Sequence, residues 1–132
     1  ASFFVPLFGD GSTKFQPVFI DDVSLAVDEI INSKIKGKNI YELAGPRIYS
    51  YKEFFNYISN FLQKTRVLVP VPMAFMKPMI NIAEKTPISP LTSEQLLLFE
   101  KDNLVINVDK SFQNLDINPQ DTLQILKNIV VN

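Results

Sequence analysis

Residues 15–24, F-Q-P-V-F-I-D-D-V-S, change character halfway along. Val18, Phe19 and Ile20 are strand formers, and Pro17 lacks the amide proton that a central ladder position needs. The sequence therefore predicts a strand at or beside a sheet edge. Asp21 and Asp22 follow at a helix start. From there Val23, Ala26, Val27, Ile30 and Ile31 recur at i, i+3, i+4, i+7 and i+8, the apolar stripe of an amphipathic helix. Gly37 closes this strand–helix unit. The adjacent carboxylates admit two readings. Either they share a proton as an acid/base pair, or one caps the helix and both sit at its positive end, where an anion gains about 0.3–1 kcal/mol. Neighbouring residues at a helix start point in different directions, and no other titrating group is near in sequence, which favours the structural reading.

The same alternation continues downstream. N-I-Y-E-L-A (39–44) predicts a second strand, followed by G-P-R. Ser50 and Glu53 have the spacing of a capping box, and the helix they open carries Tyr51, Phe54, Phe55, Ile58, Phe61 and Leu62 on one face. R-V-L-V-P (66–70) predicts a third strand. Strand, helix, strand, helix, strand in that order indicates an α/β layer with parallel pairing. From Pro70 the composition shifts: residues 70–85 hold all three methionines and three of the nine prolines, with Pro78 placed to kink a helix. This segment reads as core filler or as a pliable apolar lid. Thr92 and Gln95 make a second capping pair. Leu104, Ile106 and Val108 alternate as a short extended segment. Asn118 before Pro119 reads as an N-cap and first helical position of a C-terminal helix running to Val130. The expected division is the end of an α/β layer over 1–69 and a helical lobe over 70–132, together one compact unit.

Composition narrows the functions. A chain of 132 residues with 46% hydrophobic content suits one domain or a large piece of one. No apolar run approaches the roughly 20 residues of a membrane span. Lys and Arg total 13 against 14 for Asp and Glu, a formal net charge of −1, which argues against nucleic acid as a partner. Cysteine and histidine are absent, which removes disulfides, thiolate nucleophiles, Ser-His-Asp machinery and nearly every zinc site. No metal site and no catalytic residue is expected. F-G-D-G (8–11) falls short of a phosphate loop and predicts a turn. A-G-P-R (44–47) puts a glycine and a cation at a strand end, the edge where α/β sheets bind ligands, so Arg47 either meets an anion or is an ordinary solvated arginine. Four residues after Tyr41, Tyr49, Tyr51 and Tyr57 stand Gly45, Glu53, Phe55 and Phe61, so no Y-x-x-x-K is present.

K-F-Q-P-V-F-I-D-D-V-S-L-A-V (14–27), then Y-E-L-A-G-P (41–46), V-P-V-P (69–72) and L-T-S-E-Q-L (91–96) with D-N at 102–103, resemble the C-terminal part of an extended or atypical short-chain dehydrogenase/reductase. Within it they are most similar to the NAD(P)H-binding accessory-subunit group of respiratory complex I (NADH:ubiquinone oxidoreductase) and its bacterial relatives. The resemblance covers nearly the whole chain, from Gly9 onward. It implies a fragment of a Rossmann-type α/β fold, comprising the last sheet strands and a small, mostly helical substrate lobe. In that family the dinucleotide rests on an N-terminal glycine-rich unit that these residues lack. The resemblance thus implies no cofactor here and NAD(P)H in the parent. Implied partners are the missing N-terminal half and respiratory-complex subunits. The implied location is cytoplasmic, peripheral to the inner membrane in a bacterium, or the matrix side of a mitochondrion.

Residue by residue, the resemblance puts Phe15, Gln16 and Arg47 on the substrate side. It makes Pro17, Asp22 and Gly45 structural, Asp22 being the family's turn aspartate. Sugar-nucleotide epimerases of the family carry an arginine where alignment on Asp22-Val23 puts Phe15; a phenyl ring cannot offer the fork that grips phosphate, which disfavours that substrate. The leading expectation is a lobe that is non-catalytic by itself. The alternatives are a fragment of an active oxidoreductase or epimerase, and a stand-alone interaction domain. If 39–44 pairs with strands of an absent half, its open edge also predicts a homodimer.

Overall fold

The computed structural model describes residues 4–34, 37–85, 92–106 and 110–131. It is a mixed α/β structure whose contacts group into two compact units, each built from two separated segments: 1–15 with 49–103, and 16–48 with 104–132.

The first unit holds β1 (Phe4–Phe8), β2 (Lys14–Phe15), β3 (Tyr49–Ser50), α2 (Tyr51–Phe61), β4 (Val67–Val71), α3 (Met73–Ala83) and α4 (Ser93–Leu97). Between β2 and β3 in the chain lies α1 (Ile20–Asn32), which belongs to the second unit. β1 and β4 pair in parallel from Phe4 opposite Val67 to Phe8 opposite Val71. The strand expected at 66–70 is thus present, shifted by one residue. Its partner, Phe4–Phe8, has no counterpart in the sequence reading because Pro6 interrupts the run. Proline is tolerated in such a pair because each strand has an open side. β2 and β3 form a short antiparallel pair.

Both capping pairs form. The Ser50 hydroxyl accepts the Glu53 N–H while the Glu53 carboxylate accepts the Ser50 N–H, and Thr92 and Gln95 do the same. α3 runs through Pro78 without a break. Its Met76 and Ile80 pack on Leu96, with Phe8, Val71 and Met73 around them. A continuous run of rings fills the other side of this core. Phe8 stacks on Phe99 at 3.9 Å, Phe99 meets Tyr51 at 4.6 Å, Tyr51 stacks on Phe15 at 4.5 Å, and Phe15 meets the edge of Phe54 at 5.2 Å. The last three separations are those of favourable aromatic pairs.

In the second unit α1 turns Val23, Ala26 and Ile30 toward Phe112 and Leu115, with Val18, Tyr41, Leu43 and Ile117 completing the cluster. Burying side chains such as Phe112 and Leu115 contributes about 1.5–3 kcal/mol each. Val27 and Ile31, the other members of the expected stripe, face outward. A 3-10 turn at Phe112–Leu115 and α5 (Thr122–Val131) finish the unit.

Three expectations fail here for identifiable reasons. Residues 16–19 form no strand: the Pro17 carbonyl accepts the Thr122 hydroxyl at 3.2 Å, and Gln16 is engaged through its side chain, whose Oε1 accepts the Val105 N–H at 2.8 Å. Residues 39–44 form no strand either. They are tied to Ile106 and Lys110 by the Glu42 N–H donating to the Lys110 carbonyl, the Glu42 carboxylate accepting the Ile106 N–H, and Lys110 Nζ donating to Asn39 Oδ1. The strand edge on which self-association was expected is therefore not formed. The C-terminal helix starts at Thr122 instead of behind Asn118, since Asp121 Oδ1 accepts the Leu123 N–H. Leu104–Ile106 form no strand, and Val108 lies outside the described residues.

Candidate functional site

Five of the residues singled out by sequence fall in the second unit: Gln16, Pro17, Asp22, Gly45 and Arg47. Phe15 falls in the first, inside the run of rings. The five converge because four segments distant in sequence cross there. Gln16 links two of them: its Oε1 accepts from Val105 and its Nε2 donates to the Gly45 carbonyl at 3.4 Å. Pro17 and Gly45 approach so closely that a Cβ added to Gly45 would stand 1.9 Å from the Pro17 carbonyl oxygen. That distance excludes every other residue type at position 45.

Asp22 is only 2% exposed. Its Oδ2 accepts the Gln120 backbone N–H at 2.7 Å and its Oδ1 accepts Gln120 Nε2–H at 3.2 Å. The carboxylate therefore ties the start of α1 to the 118–121 segment. It does not cap α1, whose N-cap is Phe19 with no side-chain bond. Asp21, one residue earlier, is exposed, so the two carboxylates lie in different surroundings.

Two clefts open beside this crossing. One, of about 560 Å³, is bordered by Gln16, Glu42, Gly45, Phe112, Asp116 and Asn118. Its charged lining is acidic, which suits a neutral polar group better than a phosphate. The other, of about 370 Å³, is bordered by Arg47, Asn118, Gln120, Asp121, Gln124 and Asn128. There Arg47 Nε lies 3.2 Å from Asp121 Oδ2. Among the described residues no group of three acidic side chains is placed to hold a metal ion.

The glycine pair in F-G-D-G is a turn. Gly9 and Gly11 have φ of +62° and +77°, and Asp10 Oδ1 accepts the Ser12 N–H at 2.9 Å. The Ser12 hydroxyl first, and this backbone bond second, hold the Asp10 carboxyl below its ordinary value. The nearby start of α2 offers no anion cradle, since its first amides already have partners: Tyr51 N–H donates to the Thr13 carbonyl, Lys52 N–H to Gly11, and Glu53 N–H to the Ser50 hydroxyl. Bonds from Ser50 likewise hold Glu53 below the usual carboxylate value, and burial raises the Tyr51 hydroxyl. A dinucleotide pyrophosphate does not fit this loop.

Sequence reasoning missed Gln120, Asp121 and Glu42. The dense run of amides and acids in N-P-Q-D at 118–121 is the one local signal that marks the first two.

No protein-family model matches the chain. It is 31% identical over 128 residues to the mitochondrial "NADH dehydrogenase [ubiquinone] 1 alpha subcomplex subunit 9" of Arabidopsis thaliana, an alignment covering 88% of this chain and 31% of that protein. It is 28% identical over 109 residues to the mitochondrial "NADH-ubiquinone oxidoreductase 40 kDa subunit" of Neurospora crassa, covering 82% of this chain and 29% of that one. The chain thus spans less than a third of the length of either relative. Among the described residues no helix is long and apolar enough to cross a membrane.

Proposed function

The chain is homologous over most of its length to the accessory subunit of respiratory complex I, a member of the extended short-chain dehydrogenase/reductase family, and on that premise we propose that it serves as the substrate-side, C-terminal part of such a protein. In this reading residues 1–69 end a nucleotide-binding α/β layer and residues 70–132 form the smaller, helical lobe. The parent holds NAD(P)H through a preceding half, on the matrix or cytoplasmic face of the membrane that carries the complex. The part described here supports assembly rather than turnover.

One observation carries the reading. N-I-Y-E-L-A at 39–44 has the pattern of a strand yet forms none, and Ile40 and Ile106, on the two segments tied together there, are 72% and 92% exposed. A strand-patterned segment that packs Leu43 on its own core yet leaves Ile40 in water is suited to pairing with strands supplied from elsewhere. The missing Y-x-x-x-K and the internally satisfied F-G-D-G turn agree with a role that needs no chemistry from these residues.

Isothermal titration of NADH and NADPH tests it. The expected result is no specific heat with this chain and saturable binding once the preceding half is restored. Hydrogen exchange of the 39–44 amides should slow in the longer protein. Micromolar dinucleotide affinity in the chain alone, or unchanged exchange at 39–44, overturns the reading.

A further inference from the structure

The cleft beside Arg47 carries an inference of its own, independent of any dinucleotide. Arg47 is 66% exposed along its side chain, whereas Asp121, which meets its Nε, is 10% exposed. The pairing is thus asymmetric: a sheltered carboxylate orients an outward-reaching guanidinium. Asp121 is itself fixed, because its Oδ1 accepts the Leu123 N–H at 3.0 Å and its carbonyl accepts the Ile125 N–H at 3.1 Å. The guanidinium reaches outward from this contact, and the planar fork of an arginine matches two oxygens of a carboxylate or phosphate. The surrounding side chains are amides: Asn118, Gln120, Gln124 and Asn128 border the same space. Gln120 is anchored by its bonds to buried Asp22, which fixes one wall.

From this geometry we infer a binding site for the oxyanion of a small polar molecule, with Arg47 as the charged grip, Asp121 as its positioning residue and the amides as neutral donors. The amide lining selects against an apolar ligand. The volume of about 370 Å³ suits a compact metabolite rather than a dinucleotide.

Nuclear magnetic resonance titration of the full chain distinguishes the two sources of such an anion. Inorganic phosphate forms one arm, succinate the other, and chloride at matched ionic strength the control. The expected result is saturable shifts of the Arg47 Nε–H and the Gln124 side-chain amide in one or both arms. The tighter arm identifies a phosphorylated or a carboxylic ligand. Arg47→Gln should weaken the apparent affinity about tenfold or more, the loss of one charge-assisted bond. Arg47→Lys should weaken it as well, because an ammonium lacks the fork. Shifts that grow linearly as with chloride, or an affinity unchanged by Arg47→Gln or Arg47→Lys, overturn the inference. Should Arg47→Gln fail to fold, Gln124→Leu leaves the ion pair in place: weakened binding supports the site and unchanged binding overturns it.

Discussion

Asp22 and Gln120 stand 98 positions apart in the chain, yet the Asp22 carboxylate accepts both the backbone N–H of Gln120, at 2.7 Å, and its side-chain amide, at 3.2 Å. A carboxylate with both oxygens engaged and 2% exposure is a fastening between segments. It also shelters the wall of the Arg47 cleft.

Replacing Asp22 by Asn keeps the shape but turns one acceptor into a donor facing donors. The expected cost is about 1–3 kcal/mol of unfolding free energy, the penalty of a buried unsatisfied pair. Urea denaturation measures it. An unchanged midpoint would show that the fastening contributes nothing.

Gly45→Ala drives a methyl group into the Pro17 carbonyl, 1.9 Å away. Both neighbours at this contact are backbone, so neither can step aside cheaply. Thermal unfolding should show a loss of about 3 kcal/mol or more, at the upper end of overpacking effects. Gly37→Ala, where an added Cβ meets nothing within 4 Å, is the control for general loss of glycine, although its φ of +89° brings a conformational cost.

Ser50→Ala removes one half of the box that opens α2, at an expected cost of about 1 kcal/mol. The box also gives a pH dependence. Bonds from Ser50 lower the Glu53 pKa in the folded chain, so its stabilising contribution is present above the ordinary carboxylate value and is lost as pH falls through the lowered one. Ser50→Ala keeps the larger, backbone bond and loses only the hydroxyl's, so the acid limb of the stability profile should flatten in part, and Glu53→Gln, which removes the titrating group, should flatten it further. A wild-type profile in Glu53→Gln would remove the box as its cause.

Tyr51 lies between Phe15 and Phe99, at 4.5 and 4.6 Å. Burial raises its hydroxyl above the ordinary value of 10.0, so an ultraviolet alkaline titration should show a late-titrating component that Tyr51→Phe loses. That variant keeps the ring and should match wild-type stability near neutral pH. Phe99→Ala, which breaks the run of rings at two contacts, should cost about 3–5 kcal/mol.

What the sequence settled by itself is what depends on neighbours within one helical turn. Ser50 with Glu53 and Thr92 with Gln95 form their boxes, and Val23, Ala26 and Ile30 face a core, because capping and the 3.6-residue period join residues three or four apart. The motifs around Asp22 and Gly45 were also enough to reach the family of the complex I accessory subunit. Tertiary structure decided the rest. A strand needs a partner, and propensity does not name one: Phe4–Phe8 found Val67–Val71 despite Pro6, while 16–19 and 39–44 are held by single contacts to Val105, Thr122, Ile106 and Lys110. The same holds for the clefts. Arg47 became an oriented cation only because Asp121, distant in sequence, came to lie beside it, and which residues meet across such a separation is fixed by packing of the whole unit rather than by any local pattern.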